Sequence, residues 1–337
     1  MSFINKCFTI IRCSNKDMFN IRLEDSIIFD HFDKDNNFIS SASLDTNVPI
    51  DFSNCSFTLD KYDNIYGIYR DNSLKLIELD RVNNKVSQKD ILTYNYKKFN
   101  VIFPYVNIID NNIHILYYVY NNNSTNTCAL FHHYNHNGVW TENKIDFINH
   151  ICLDNFTVVW SQDSPIVFYF NLVNGCEEVF FSRFNSSTFT WSDPVQITKS
   201  KKNKVYLSVL KDSMNFYHIT FCESENNGYS IKYINGYLNE HTFDVNILSK
   251  ITDCSTHMYP SLLKNKNSLH LMWVNYQKLY SCESIDLGKT WSEQLIDEFS
   301  IREDFTRTKF LSNYIDDLPY NCTSVFTTYK DVGLLGF

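Results

Sequence analysis

Residues 284–291 read Ser284-Ile285-Asp286-Leu287-Gly288-Lys289-Thr290-Trp291, and Ser292 follows. The spacing suits one tight turn at the tip of a β-hairpin. Asp286 is placed to accept hydrogen bonds from the turn's own backbone amides, and Gly288 takes positive φ without a steric cost. Trp291 opens the returning strand, where its ring can be buried between neighbouring sheets. A hairpin with a buried tip implies other sheets around it.

The rest of the chain supplies them. Helical periodicity is almost absent. Short aromatic and β-branched runs alternate with Asn, Asp, Ser and Gly clusters, a texture of strands and turns. The chain also repeats. Candidate second strands begin at Asn64, Asn112, Pro165, Asn215, Ser268 and Thr323, spaced by 48, 53, 50, 53 and 55 residues. Residues 103–118 run parallel to 259–273: each has an aromatic, a Pro, an apolar strand, a polar turn and apolar residues alternating around a His. Residues 27–44 align with 75–92 in the same way. A period of about 40–55 residues carrying four strands marks the blade of a β-propeller. Strands such as Ile113–Tyr120 are apolar nearly throughout, as expected where both faces of a sheet are covered.

The expected fold is therefore all-β, a β-propeller of four-stranded antiparallel blades forming a single domain over 1–337. Blades fall at roughly 5–45, 52–95, 100–148, 153–198, 203–250 and 257–300, with a partial one at 303–337. The partial unit holds two strand patterns, Thr308–Tyr314 and Thr323–Lys330. This favours seven blades with the last incomplete, with six as the alternative. The chain stops in a strand-like run, Gly333–Phe337, so a C-terminal domain missing from this chain is also expected.

The Ser-x-Asp-x-Gly-x-Thr-Trp form of residues 284–291 resembles the Asp-box of sialidase-like (BNR-repeat) β-propellers, and the resemblance covers about residues 50–330. Decayed copies keep the phase. Asn135 stands at the Asp position in His133–Trp140, Asn185 does so before Trp191 with two extra residues between, and 233–243 keep an Asn-Gly before Phe243. In that family the boxes join the third strand to the fourth, on the face opposite the active site. The resemblance thus implies a structural role for Ser284, Asp286, Gly288, Thr290 and Trp291. It also implies what catalysis would require: an arginine cluster on the substrate carboxylate, a Tyr–Glu pair, an Asp acid, and an Arg-Ile-Pro in the first blade. Here Arg12 is followed by Cys13 and Arg22 by Leu23, so that motif is absent. The remaining arginines are Arg70, Arg81, Arg183, Arg302 and Arg307. Arg81 is expected in a hairpin turn, Arg183 in an outer strand, and Arg70 at the end of a second strand. The resemblance is to a non-catalytic member.

Composition narrows the partners. The 337 residues carry a net charge of −8, which argues against a nucleic-acid platform. The basic run Lys199–Lys204 lies between two strand patterns and reads as a solvated connecting loop. Ten cysteines are scattered singly. No signal-peptide h-region and no membrane-length apolar run is present. A cytoplasmic chain with reduced thiols is expected, and surface or spore association leaves no trace in such a sequence. The Asn, Lys, Ile, Tyr and Phe bias resembles an AT-rich bacterial genome. No cofactor is implied, for there is no phosphate loop and no nucleophile elbow. His132, His133 and His136 lie together near a turn, but a turn explains them better than a metal does. His114, His218 and His270 recur at one phase, which blade packing explains.

In propellers, the turns between second and third strands share one face with the blade-linking segments. Here those turns are rich in Asn and aromatics, which suits sugar or peptide contacts. Tyr69, Arg70, Tyr120, Tyr276 and Lys330 are the expected ligand-binding residues. The expected function is a non-catalytic binding or assembly module for protein or glycan ligands, with no nucleic acid and no membrane. The alternative is a glycan-active, sialidase-like hydrolase using channel carboxylates.

Overall fold

Each repeat folds as a meander of four sequential antiparallel strands. The structure is a computed structural model and describes residues 2–46, 51–149, 155–239, 241–328 and 334–335. Among the described residues the strands make six sheets, each containing one meander: 3–45, 55–93, 99–148, 157–196, 204–250 and 258–296, the first to sixth in chain order. The chain divides into two compact units. The first comprises Lys6–Cys152 and Lys309–Leu318, and the second Met1–Asn5, Leu153–Thr308 and Pro319–Phe337.

Burial falls across each meander. In the second strands Val167, Phe168 and Tyr169 are consecutive and fully buried, as are Leu271, Met272, Trp273 and Val274. Consecutive residues point to opposite faces, so both faces of these sheets are covered. The fourth strands are the reverse. Lys85–Thr93 is mostly exposed and carries Lys85, Lys89 and Asp90, charges that blunt an open strand edge. The first unit's cores join Phe29 to Phe57 and Val101 to Ile115, and the second unit's join Phe168 to Ile219 and Leu262 to Trp273.

The aromatic–Pro pairs mark bulges. Phe103, Tyr206 and Tyr259 have φ of 52°, 61° and 52°. Each sits where the pairing between first and second strands slips. Two residues oppose one there, so a residue without an N–H is tolerated at Pro104 and Pro260.

The first strand pairs with one far along the chain. Strand Phe305–Ser312 lies beside Phe3–Arg12. In the second unit the Phe305 N–H donates to Ser2 O, and in the first unit the Asn313 N–H donates to Arg12 O at 3.0 Å. Thr308 pairs with Val325, while Tyr320–Cys322 joins the sixth meander's sheet. Lys330 lies outside the described residues.

The turn at 284–291 is built from side chains. Asp286 Oδ1 accepts from the Thr290 N–H (2.9 Å) and the Ser284 hydroxyl (2.8 Å), and Oδ2 from the Thr290 hydroxyl (2.7 Å). The Gly288 N–H donates to Ser284 Oγ at 2.8 Å. These bonds raise Leu287 and Gly288 to φ of 61° and 84°. The turn then seats on the fifth meander. Leu287 O accepts from Asn235 Nδ2 at 2.7 Å, and the Trp291 ring meets Tyr233 edge-on at 5.1 Å. Trp291 is half-buried and precedes the returning strand, which is only Leu295–Ile296. The fourth meander repeats the closing bonds. The Ser292 N–H donates to Glu283 O and the Ser192 N–H to Arg183 O, each at 2.8 Å. The hydroxyls of both serines accept from the same backbone amides in return, at 3.0 Å.

Two outcomes follow. A Cβ on Gly288 would stand 2.3 Å from the Tyr233 ring, at a φ that side chains resist. Gly288→Ala should therefore cost roughly 2 kcal/mol or more, read as a lowered urea midpoint. The Thr290 amide and hydroxyl hold the Asp286 carboxyl down to about 2. A depressed carboxylate stabilises above its unfolded value and loses that contribution as the pH falls toward its folded one. Stability should thus decline between about pH 4 and pH 2, and Asp286→Asn should flatten that part of the acid-unfolding curve.

Candidate functional site

Arg70 ends the second strand of the second meander, opposite Asn54, whose carbonyl accepts the Arg70 N–H at 2.8 Å. Its half-buried guanidinium is fixed by two amide oxygens. Asn54 Oδ1 accepts from Nε at 3.1 Å and from Nη2 at 2.5 Å, and Asn100 Oδ1 accepts from Nη1. Asn100 lies in the next meander, where it pairs with Tyr120, and its Nδ2 donates to the Tyr120 hydroxyl. Among the described residues no carboxylate lies within salt-bridge distance of Arg70. Three of its five N–H donors are engaged, so the group is oriented and cationic with capacity left. Beside it, Asp71 is buried near Lys75 (3.7 Å), and its carbonyl accepts from the Tyr94 hydroxyl at 3.3 Å. Burial pushes the Tyr94 phenol up, against the opposing pull of Arg70, so it stays a neutral donor. Adjacent starts of first strands and ends of second strands thus gather a guanidinium, two amides and two phenols in the first unit.

The other expected residues lie elsewhere. Tyr69 alternates with Arg70 and faces the core at 1% exposure, its hydroxyl on Gln88. Tyr276 is in the second unit, at the tip of a hairpin. The histidines are structural. His114 Nδ1 and His132 Nε2 lie 3.2 Å apart. Burial holds the His114 imidazole down to about 3 and His132 well below its usual range, so both stay neutral. His218 is fully buried, with Nδ1 2.6 Å from the Tyr233 hydroxyl and Nε2 3.7 Å from Asp212. His270 is partly exposed, 3.8 Å from Glu283. Among the described residues no group of three or more His, Cys, Asp and Glu is placed to hold a metal.

In the basic run Lys199, Lys201 and Lys202 are exposed, as a solvated loop expects, and Lys204 departs from that reading. The Lys204 side chain is 0% exposed. Its ammonium donates to Glu178 Oε2 (2.8 Å), Ser200 Oγ (2.7 Å), Glu177 O (2.9 Å) and Lys202 O (2.8 Å), with Glu223 Oε2 at 3.6 Å. Burial alone would raise the Glu178 carboxyl. Lys204, the Thr198 hydroxyl and the Lys201 amide outweigh it and hold the group below its usual value. Glu177, Glu178 and Glu223 stand far from Lys204 in sequence and gather around it only because the fourth and fifth meanders pack together, so no local pattern announces them. A lone lysine among lysines reads as surface.

No protein-family model matches the chain, and no curated protein does. Solved structures do. The polysaccharide lyase Uly1 aligns with a TM-score of 0.56 at 6% identity, over 86% of this chain and 81% of its own. An α-L-arabinanase of Penicillium chrysogenum bound to arabinobiose gives 0.54 at 6%, over 83% and 94%. An α-L-arabinofuranosidase of Fusarium graminearum gives 0.52 at 7%, over 98% and 99%. These likenesses, over meanders of four antiparallel strands, establish the architecture. The fold is a β-propeller.

In propeller terms the Arg70 set lies on the edge that carries the turns between second and third strands, and so does the Lys204 knot. They differ in saturation. Lys204 is surrounded by oxygen acceptors, whereas Arg70 keeps free donors. Removing one partner of a buried ion pair strands the other, so Lys204→Met should cost about 3–5 kcal/mol, measured by chemical unfolding. Arg70→Ala should cost far less, for its partners are amides.

Proposed function

We propose that this propeller binds carbohydrate at the Arg70 edge and does not cleave it. The observation that carries the reading is the Arg70 guanidinium, held by Asn54 and Asn100 and lacking a carboxylate partner among the described residues. Amides and phenols supply the mixed donors and acceptors that sugar hydroxyls need, and a fixed guanidinium suits an acidic substituent. The solved structures sharing the fold are named for arabinan and polysaccharide chemistry, which supports a glycan over a protein ligand. The scattered cysteines support a reducing compartment.

The carboxylates support binding without turnover. Glycoside hydrolysis needs a carboxylic acid kept protonated near neutral pH by a raised pKa. Among the described residues, hydrogen bonds and neighbouring cations hold the carboxyls of Asp33, Asp63, Asp80, Glu178, Asp212, Glu225 and Asp286 below their usual range. Glu178 and Glu223 are balanced by two lysines, Lys204 between them and Lys232 at 3.7 Å from Glu223. The second reading, a glycan-active hydrolase, rests on the names of the structural relatives alone.

An array of neutral and acidic oligosaccharides, followed by product analysis of any that are retained, tests both. Retention should be lost about tenfold or more in Arg70→Lys, where the planar fork is replaced by a point charge, with no cleavage products. Release of reducing ends by the wild-type chain would overturn the non-catalytic reading in favour of the hydrolase.

A further inference from the structure

Four two-residue hairpin turns place both central residues at positive φ. They are Asp110-Asn111 (46°, 70°), Asn137-Gly138 (52°, 84°), Asn174-Gly175 (53°, 83°) and Tyr276-Gln277 (46°, 63°). Their flanks pair directly: Ile109 with Asn112, His136 with Val139, Val173 with Cys176 and Asn275 with Lys278. Such turns select Asn, Asp and Gly because other side chains crowd the backbone there. Three obey that chemistry and the fourth does not.

The cost at Gln277 has a local return, since its Oε1 accepts the Phe3 N–H at 3.0 Å. Tyr276 has none. Its side chain is 69% exposed, and among the described residues no hydrogen bond, ion pair or ring contact involves it. The bulge aromatics Phe103 and Tyr259 also have positive φ, but they are 7% and 9% exposed and their rings pack against Phe52 and Phe3. A bulky residue held in a costly conformation, with no packing to offset it, points to a contact outside the chain.

The surroundings of Tyr276 are polar and fixed. Asn275 Oδ1 accepts from the Ser255 hydroxyl (2.9 Å) and the Thr256 hydroxyl (3.1 Å), and its Nδ2 has no partner among the described residues. Lys278 is turned back to Ser300 O and Ile301 O, each at 3.4 Å. An exposed aromatic face beside an amide N–H and hydroxyls matches an uncharged sugar ring, which offers a C–H face for stacking and hydroxyls at its rim.

We propose that Tyr276 is the stacking platform of a second carbohydrate subsite, carried by the second unit and taking a neutral pyranose or furanose ring. The proposal rests on the carbohydrate reading of the Arg70 edge. The test compares the full-length wild-type chain with Tyr276→Asn, Tyr276→Phe and Arg70→Lys for thermal midpoint and for retention on an array of neutral and acidic oligosaccharides. Asparagine suits the turn, so Tyr276→Asn should hold or raise the midpoint while weakening retention of neutral oligosaccharides roughly fivefold to tenfold. Tyr276→Phe should retain them. Unchanged retention in Tyr276→Asn, with loss only in Arg70→Lys, would overturn this subsite and leave the Arg70 reading standing. A lowered midpoint in Tyr276→Asn would assign the ring to stability and overturn it as well, as would loss of retention in Tyr276→Phe. A wild-type chain that retains no oligosaccharide would overturn both readings together.

Discussion

A four-stranded sheet with apolar side chains on both faces cannot stand alone in water, and the rest of this structure depends on that constraint. Phe168 and Tyr169 point to opposite sides of one strand, and both are fully buried. So are Met272 and Trp273. Each sheet therefore needs apolar cover on two sides, and each turn must leave room for it. Gly288 is one such turn: only a hydrogen fits against the Tyr233 ring.

The sequence made this scaffold legible because the same packing problem is solved repeatedly. The spacing of apolar second strands located the second to sixth meanders and the match of 27–44 to 75–92 the first, whereas the bulges at the aromatic–Pro pairs of Phe103 and Tyr259 became visible only in the strand register. Arg70 and Tyr120 were singled out for their place at strand ends, and Asn100 brings them together. Tyr69 was not separable from Arg70 by that reasoning, since alternation puts adjacent residues on opposite faces and the sequence does not say which face is covered. Lys204 was illegible for another reason. Its acceptors are Glu178, Glu223 and backbone carbonyls from separate meanders, and backbone carbonyls carry no sequence signal at all.

The two polar clusters show how similar ingredients yield different chemistry. Around Lys204 the charges cancel once Lys232 beside Glu223 is counted, inside a shell of short hydrogen bonds, so the cluster stiffens the sheets it joins and offers a ligand little. Around Arg70 the partners are neutral amides. They orient the guanidinium without neutralising it, and the positive charge stays available on a chain whose net charge is negative. Local excess of one sign against an opposite background favours a ligand small enough to be seen by the site and not by the whole surface.

The pairing of Phe3–Arg12 with Phe305–Ser312 has a consequence for how the protein is made. During synthesis Phe3–Arg12 emerges some three hundred residues before Phe305–Ser312, the strand that covers its edge. Throughout that interval the edge presents unpaired N–H and C=O groups to any other extended chain. Final closure then joins segments some three hundred residues apart, a contact whose loop entropy makes it slow. The nascent chain is therefore exposed to strand-swapped association until Phe305–Ser312 has emerged, and slower synthesis of the stretch between the two strands would lengthen that window.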